Sequence, residues 1–218
     1  EAWRFLRARR GLFARHFTGV ALLALAFNAM SFWMAPYLSR AHGLTPAEFG
    51  TALGFTLAIG GGVGIFAGGA LADRLRRRGV ADAELWPGIL SGLAIVPTGL
   101  AATLASDGWS ALAVFAAFML CSSFSFAAAA VALQAVTPNR LRGQVSAVYL
   151  FWVNLAGIGL GSFLTGFVTD QVFGDELRVG ESMAWIVGLS GPLAAALLLA
   201  ARRPYREAFA QEQAAQAR

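Results

Sequence analysis

Formal charge is absent from six long stretches of this chain, and the charged residues collect in short segments between them. His16 to Ser39 carries none, and neither does Phe49 to Ala72, Leu85 to Ser106, Gly108 to Asn139, Gly143 to Thr169 or Ser182 to Ala201. Each run is about 20 residues or longer, enough for an α-helix to cross a hydrocarbon layer roughly 30 Å thick. The pattern predicts an all-α polytopic membrane protein with six spans over about 16–39, 47–73, 85–106, 108–137, 141–170 and 182–202. Together they form a bundle over 16–204, with a basic amphipathic cytoplasmic connector helix at 1–15 before it and a cytoplasmic tail at 205–218 after it, read as a short exposed helix or a disordered end. A transmembrane β-barrel would instead show alternating segments about ten residues long. The first apolar run exceeds a signal-peptide core and lacks a small-residue cleavage pattern, so no cleaved signal is expected.

Composition agrees with that solvent. Of 218 residues 57% are hydrophobic and 13% charged, against about 25% charged in a soluble domain. Mean hydropathy is +0.61. The single Cys121 excludes an intrachain disulfide, and His16 and His42 lack the paired spacing of a zinc site, so no metal is expected.

The net charge is +5, and all 17 basic residues are arginine. In the six-span topology one face collects Arg4, Arg7, Arg9, Arg10, Arg15, Arg74, Arg76, Arg77, Arg78, Arg140, Arg142, Arg202, Arg203, Arg206 and Arg218. Only Arg40 and Arg178 reach the other face, beside Glu48, Asp107, Asp170, Asp175, Glu176 and Glu181. The positive-inside rule places both termini in the cytoplasm, and a bacterial cytoplasmic (inner) membrane is expected. Anionic headgroups account for the basic excess, and no nucleic-acid partner is expected.

The six spans read as two groups of three. Span two ends in Gly69-Ala70-Leu71-Ala72-Asp73 and span five in Gly166-Phe167-Val168-Thr169-Asp170, on opposite faces. Spans three and six share a proline followed by small residues, at Pro97-Thr98-Gly99 and Pro192-Leu193-Ala194. Such matches in opposite orientation predict a 3+3 inverted repeat. Small residues also recur at helical spacing: Gly50 and Gly54, then Gly60, Gly64 and Gly68 in span two, and Gly157 and Gly161 in span five. They let helix backbones approach closely where lipid supplies no hydrophobic drive. The approach is either within the six-helix unit or at a contact with a second unit.

The stretch Gly69-Ala70-Leu71-Ala72-Asp73-Arg74-Leu75-Arg76-Arg77-Arg78 joins spans two and three. A carboxylate at a membrane edge can sit at the N-terminus of a neighbouring helix, where free N–H groups favour an anion. Here the chain resembles the major facilitator superfamily, whose loop signature is Gly-x-Leu-Ala-Asp-Arg-x-Gly-Arg-Arg/Lys, with Arg76 standing where that family has glycine. Thr137-Pro138-Asn139-Arg140-Leu141-Arg142-Gly143-Gln144 and Gly157-Ile158-Gly159-Leu160-Gly161 resemble the start and body of the family's eleventh helix. The texture is most similar to the spinster-like branch. The resemblance implies half of the family's fold, the carboxy-terminal six of twelve helices, with an N-terminal six-helix half as partner in the same polypeptide or as a second subunit.

It further implies secondary active transport by alternating access, and the polar amides and hydroxyls set among aromatics in the spans suit a small, amphipathic organic solute. Spans one and four would line a cavity, spans two and five would meet the other half, and spans three and six would face lipid. Cavity candidates are Asn28, Phe32, Ser122, Phe126, Phe151 and Asn154, since a solute site needs a few polar contacts on a mostly apolar wall. Against this, such amides and hydroxyls commonly bond back to their own helix. Gly69, Asp73, Arg74 and Arg77 would form a gating latch, with Arg142 facing the reciprocal one. No acid, arginine or lysine lies mid-span, so any proton coupling is expected in the other half.

Gly62-Val63-Gly64-Ile65-Phe66-Ala67, with Glu84 downstream, mimics a dinucleotide fingerprint, but it lies inside an uncharged span with no strand before it. Cys121 has no cation near it in sequence to activate it. Neither catalysis nor a cofactor is expected. Two other readings stay open: a membrane scaffold or assembly subunit without a transport cycle, and a half-size transporter acting as a dimer.

Overall fold

The computed structural model describes residues 1–216; Arg218, counted on the basic face, lies outside the described residues. Among them the chain is all-helical. A short helix, Ala2–Ala8, precedes six long ones: Arg10–His42, Pro46–Arg77, Ala83–Thr103, Gly108–Ala135, Asn139–Phe173 and Glu176–Ala215. Most of these run past the uncharged windows, because arginines at helix ends carry their charge into the headgroup layer on flexible stems.

The ends differ from the sequence expectation in two places. The connector is not one helix over 1–15. It breaks at Arg9 (φ −112°, ψ 29°), and Arg10 opens span one. At the break the Arg9 side chain donates to the Val136 carbonyl at 3.0 Å and to Gln211 at 3.1 Å, and lies 4.9 Å over the Phe5 ring. Nor do the described residues of the tail form a separate short helix. Span six continues unbroken to Gln216, burying Tyr205, Ala208 and Glu212.

Local sequence marks the turns. After span one Gly43 takes the left-handed conformation (φ 66°) that stops the helix. Thr45 and Glu48 then form a capping box around Pro46 to start span two. Asp107 caps span four, accepting from the backbone N–H groups of Trp109 at 3.1 Å and Ser110 at 3.0 Å.

The spans pack side by side in the order five, one, six, three, four, two. Exchanging one with four, two with five and three with six reproduces that order in reverse, as an inverted repeat requires. The correspondence reaches single atoms. A Cβ at Gly64 would lie 2.3 Å from the Leu120 carbonyl oxygen and 2.9 Å from the Ser123 Cβ. At Gly161 it would lie 2.7 Å from the Leu25 carbonyl oxygen and 3.3 Å from the Asn28 Cβ. Gly60 meets Met119 as Gly157 meets Ala24, each with 3.0 Å between the two Cβ positions. Both helices also widen into a π-type turn at this level, Thr56–Gly60 and Leu155–Gly161. Spans three and six cross where a Cβ at Gly92 would be 2.8 Å from the Gly191 carbonyl oxygen.

Span one is the most enclosed, with 61% of its apolar window buried. Spans two and five, at the two ends of the row, bury only 22% and 17%. Each touches the bundle along its glycine edge and leaves the opposite edge open.

Candidate functional site

Two regions collect the chemistry: the open faces of spans one and five, and the arginine-rich end of the bundle. On span one, Asn28 is half-buried against span five, and its Nδ2 donates to the Ala24 carbonyl at 2.7 Å. On span five, Phe151 is 67% exposed and Asn154 is exposed, its Nδ2 donating to the Leu150 carbonyl at 2.9 Å. Both amides thus bond back one turn along their own helices. Phe32 is exposed on span one. Phe126 joins span four to span one through an edge-on contact with Phe27, with 5.1 Å between centroids.

Ser122 stands apart from this group. It is fully buried, its hydroxyl donates to the Met119 carbonyl at 3.2 Å, and its own carbonyl accepts from Ser91 of span three. Trp33 ties span one to span five by donating to the Ser162 carbonyl at 2.9 Å and packing over Gly166. His16, buried where spans one, four and five meet, stacks on Tyr149 and places Nε2 3.2 Å from the Ala129 carbonyl oxygen.

At the arginine-rich end the loop residues divide into two sets. Asp73, Arg74 and Arg77 are exposed and have no ion pair or hydrogen bond to a side chain among the described residues. Gly69 has nothing within 4 Å of where a side chain would start. Arg142 is half-buried and donates from Nε to the Thr137 carbonyl at 3.2 Å.

Arg76, the departure from the loop signature, is instead engaged inside the chain. Its guanidinium pairs with the buried carboxylate of Glu84 and lies 4.9 Å over the Phe209 ring. Tyr205 donates to the same carboxylate at 3.1 Å. Beside them Arg202 holds the buried Asp82 at 2.5 Å and covers Trp86 at 4.5 Å. Two otherwise costly buried acids are thereby neutralised, and the loop before span three is fastened to span six. Sequence reasoning used Glu84 only to dismiss a nucleotide motif. The signal was there in Asp82-x-Glu84, two acids placed in an otherwise basic loop. Among the described residues no group of three or more His, Cys, Asp or Glu side chains could hold a metal ion.

Between spans two and four lies an apolar groove of about 500 Å³, lined by Phe55, Ile59, Val63 and Leu120 among others. Its span-two side continues into Phe66, which is 81% exposed.

Comparison with known proteins agrees with this architecture. The chain is 24% identical over 198 residues to an MFS-type efflux pump of Mycolicibacterium smegmatis, a match that covers 89% of the chain and 45% of the pump. Its fold matches crystal structures of a bacterial homolog of the human lysosomal transporter Spinster. In the inward-facing, unoccupied conformation the TM-score is 0.67 at 22% identity, covering 97% of this chain and 50% of that one. In the inward-facing, occupied conformation it is 0.62 at 22% identity, covering 91% and 49%. The chain therefore spans about half the length of these relatives. The sequence profile of the Major Facilitator Superfamily matches residues 16–218, and with the inverted repeat of six membrane-spanning helices this makes the chain a member of that superfamily.

Proposed function

We propose that this chain is the carboxy-terminal six-helix half of a secondary active transporter that moves a small, amphipathic organic solute by alternating access. The observation that carries the reading is the exposure of spans two and five. Their inner edges pack through Gly60, Gly64, Gly68, Gly157 and Gly161 onto spans four and one. Their outer edges leave Phe55, Ile59, Phe66, Phe151, Leu155 and Phe163 each more than half exposed. A second six-helix unit covers these edges, and the solute path lies between the two units.

Phe32, Phe151 and Asn154, with Asn28 and Phe126 behind them, are the contribution of this half to that path. Ser122 serves the contact between spans three and four. Asp73, Arg74 and Arg77, unpaired among the described residues, latch onto the partner half when the arginine-rich side is closed, and Arg142 receives the reciprocal contact. The arginine asymmetry supports a cytoplasmic position for that side. Export is the favoured direction, by likeness to the mycobacterial efflux pump.

Everted membrane vesicles from cells producing the full-length protein provide the test, with ethidium and a set of neutral and anionic amphipathic dyes as probes. Energy-dependent accumulation above control vesicles is expected, and Phe151→Ala or Asn154→Ala should weaken it. Absence of accumulation for every dye, together with cysteine crosslinks from spans two and five that no dye alters, would identify a permanent scaffold instead.

A further inference from the structure

The helix Ala2–Ala8 folds back onto the first turns of span one. Leu6 is buried, Phe5 meets Phe13 with 5.5 Å between ring centroids, and Glu1 pairs with Arg140 at 3.0 Å. Between this helix, span one and the first turns of span five lies a groove of about 370 Å³. That volume falls within the range of roughly 300–1,000 Å³ typical of sites for small organic molecules. Its floor is apolar, made by Leu6, Phe13 and Phe17 and closed by Val148 of span five. Trp3, 72% exposed, stands beside it, as an aromatic at a membrane–water boundary does.

Arg7 and Arg10 complete the lining. Neither guanidinium has an ion pair or hydrogen bond to another residue among those described. Their neighbours differ: Arg9 donates to the Val136 carbonyl and Arg15 to the Ala200 carbonyl at 3.2 Å. Phe17 and Val148 lie just inside the uncharged runs that begin at His16 and Gly143, whereas Arg7 and Arg10 lie just outside. The groove therefore crosses the level where hydrocarbon gives way to headgroups, with its apolar floor on one side and two free cations on the other.

We propose that this groove binds one anionic phospholipid, an acyl chain lying along Phe13, Phe17 and Val148 and the phosphate between Arg7 and Arg10. A zwitterionic lipid would match the floor but not the net charge, and a free phosphate would leave the floor unused. A protein segment would have to bring its own acid to two unpaired arginines. The inference rests on the chain lying in a membrane with the second six-helix unit leaving this groove open, and it is independent of the solute carried.

Native mass spectrometry of the full-length protein, released from nanodiscs of mixed phosphatidylglycerol and phosphatidylcholine, reads the occupant. The expected result is one retained phosphatidylglycerol, preferred roughly 30-fold, the worth of two arginines at an anionic surface. The double variant R7Q/R10Q should abolish the preference. Val148→Trp should displace the lipid by filling the floor, and millimolar inorganic phosphate should not compete. Equal retention of both lipids by the unaltered protein, or retention unchanged in both variants, overturns the proposal. Displacement by phosphate overturns it too, by assigning the arginines to a free anion. Benzoylphenylalanine placed at position 148 should crosslink to a phospholipid; an adduct to another polypeptide segment would show that protein covers the groove and overturn the assignment.

Discussion

The carboxylate of Asp82, buried in the loop before span three, lies 2.5 Å from Nε of Arg202 on span six, so one ion pair joins that loop to a helix distant in sequence at the arginine-rich end. Arg206 stands 4.0 Å from the same oxygen as a weaker second partner. Arg202→Gln should therefore strand a buried acid only in part, lowering stability by about 1–3 kcal/mol. Asp82→Asn in the same background should recover much of the loss. Thermal unfolding of the full-length protein in a double-mutant cycle measures the coupling, and strictly additive losses would mean the pair contributes nothing.

Arg76 and Arg77 are adjacent in sequence but differ in their contacts: Arg76 is engaged inside the chain, and Arg77 has no side-chain partner among the described residues. Arg76→Gln should destabilise the fold by uncovering Glu84 while leaving the conformational equilibrium of the transporter near its original position. Arg77→Gln and Asp73→Asn should do the reverse, shifting the inward/outward distribution and turnover with little change in melting temperature. Spin-label distances across the two ends of the full-length protein check this. Unchanged distributions and turnover in both Asp73→Asn and Arg77→Gln would remove the latch from the mechanism.

Glycines in one span should respond unequally to alanine. A Cβ at Gly68 would sit 1.9 Å from the Phe124 carbonyl oxygen, and backbone cannot yield as a side chain can. Gly68→Ala should thus cost upwards of about 2 kcal/mol by forcing span two off span four. Gly62 and Gly69 have nothing within 4 Å, so Gly62→Ala and Gly69→Ala should leave the stability of this half unaltered. Melting temperatures and the monodisperse yield of the three variants decide the matter.

Asp107 supplies a pH signature outside the spans. The backbone N–H of Ser110 is the main cause holding its carboxyl below the usual range, helped by the Ser110 hydroxyl, the Trp109 N–H and the nearby charge of His42 and opposed by desolvation. A carboxyl depressed in the folded state stabilises above its unfolded value, about 3.9, and loses that contribution as pH falls through the folded value. Asp107→Ala should accordingly melt earlier than the unaltered protein at pH 7, the gap closing as the pH drops below about 4. Asp107→Asn, still a good cap, should retain most of the stability at pH 7.

How much of this was legible in the residues depends on how far apart the interacting groups lie. The loop signature from Gly69 to Arg78 could be picked out because its spacing is local, whereas Asp82 and Glu84, visible as two acids in a basic loop, could not be given partners until Arg202 and Tyr205 arrived from more than a hundred positions away. Asn28 and Asn154 looked equivalent as mid-span amides. Only the rotation of each helix separates them, turning Asn28 against Gly157 and leaving Asn154 exposed.

Sequence alone determined the solvent, the number of spans and the inverted pairing of their motifs. These follow from runs of uncharged residues long enough for a bilayer and from the distribution of arginines, both properties of the unfolded string. Tertiary structure decided which edge of each glycine-rich helix meets the bundle, where the connector breaks at Arg9, and that Arg76 binds inward while Arg77 does not. Those outcomes depend on helix rotation and crossing, which are set by close contacts such as Gly64 on Leu120 and Gly161 on Leu25, and no pattern within a single helix specifies its partner.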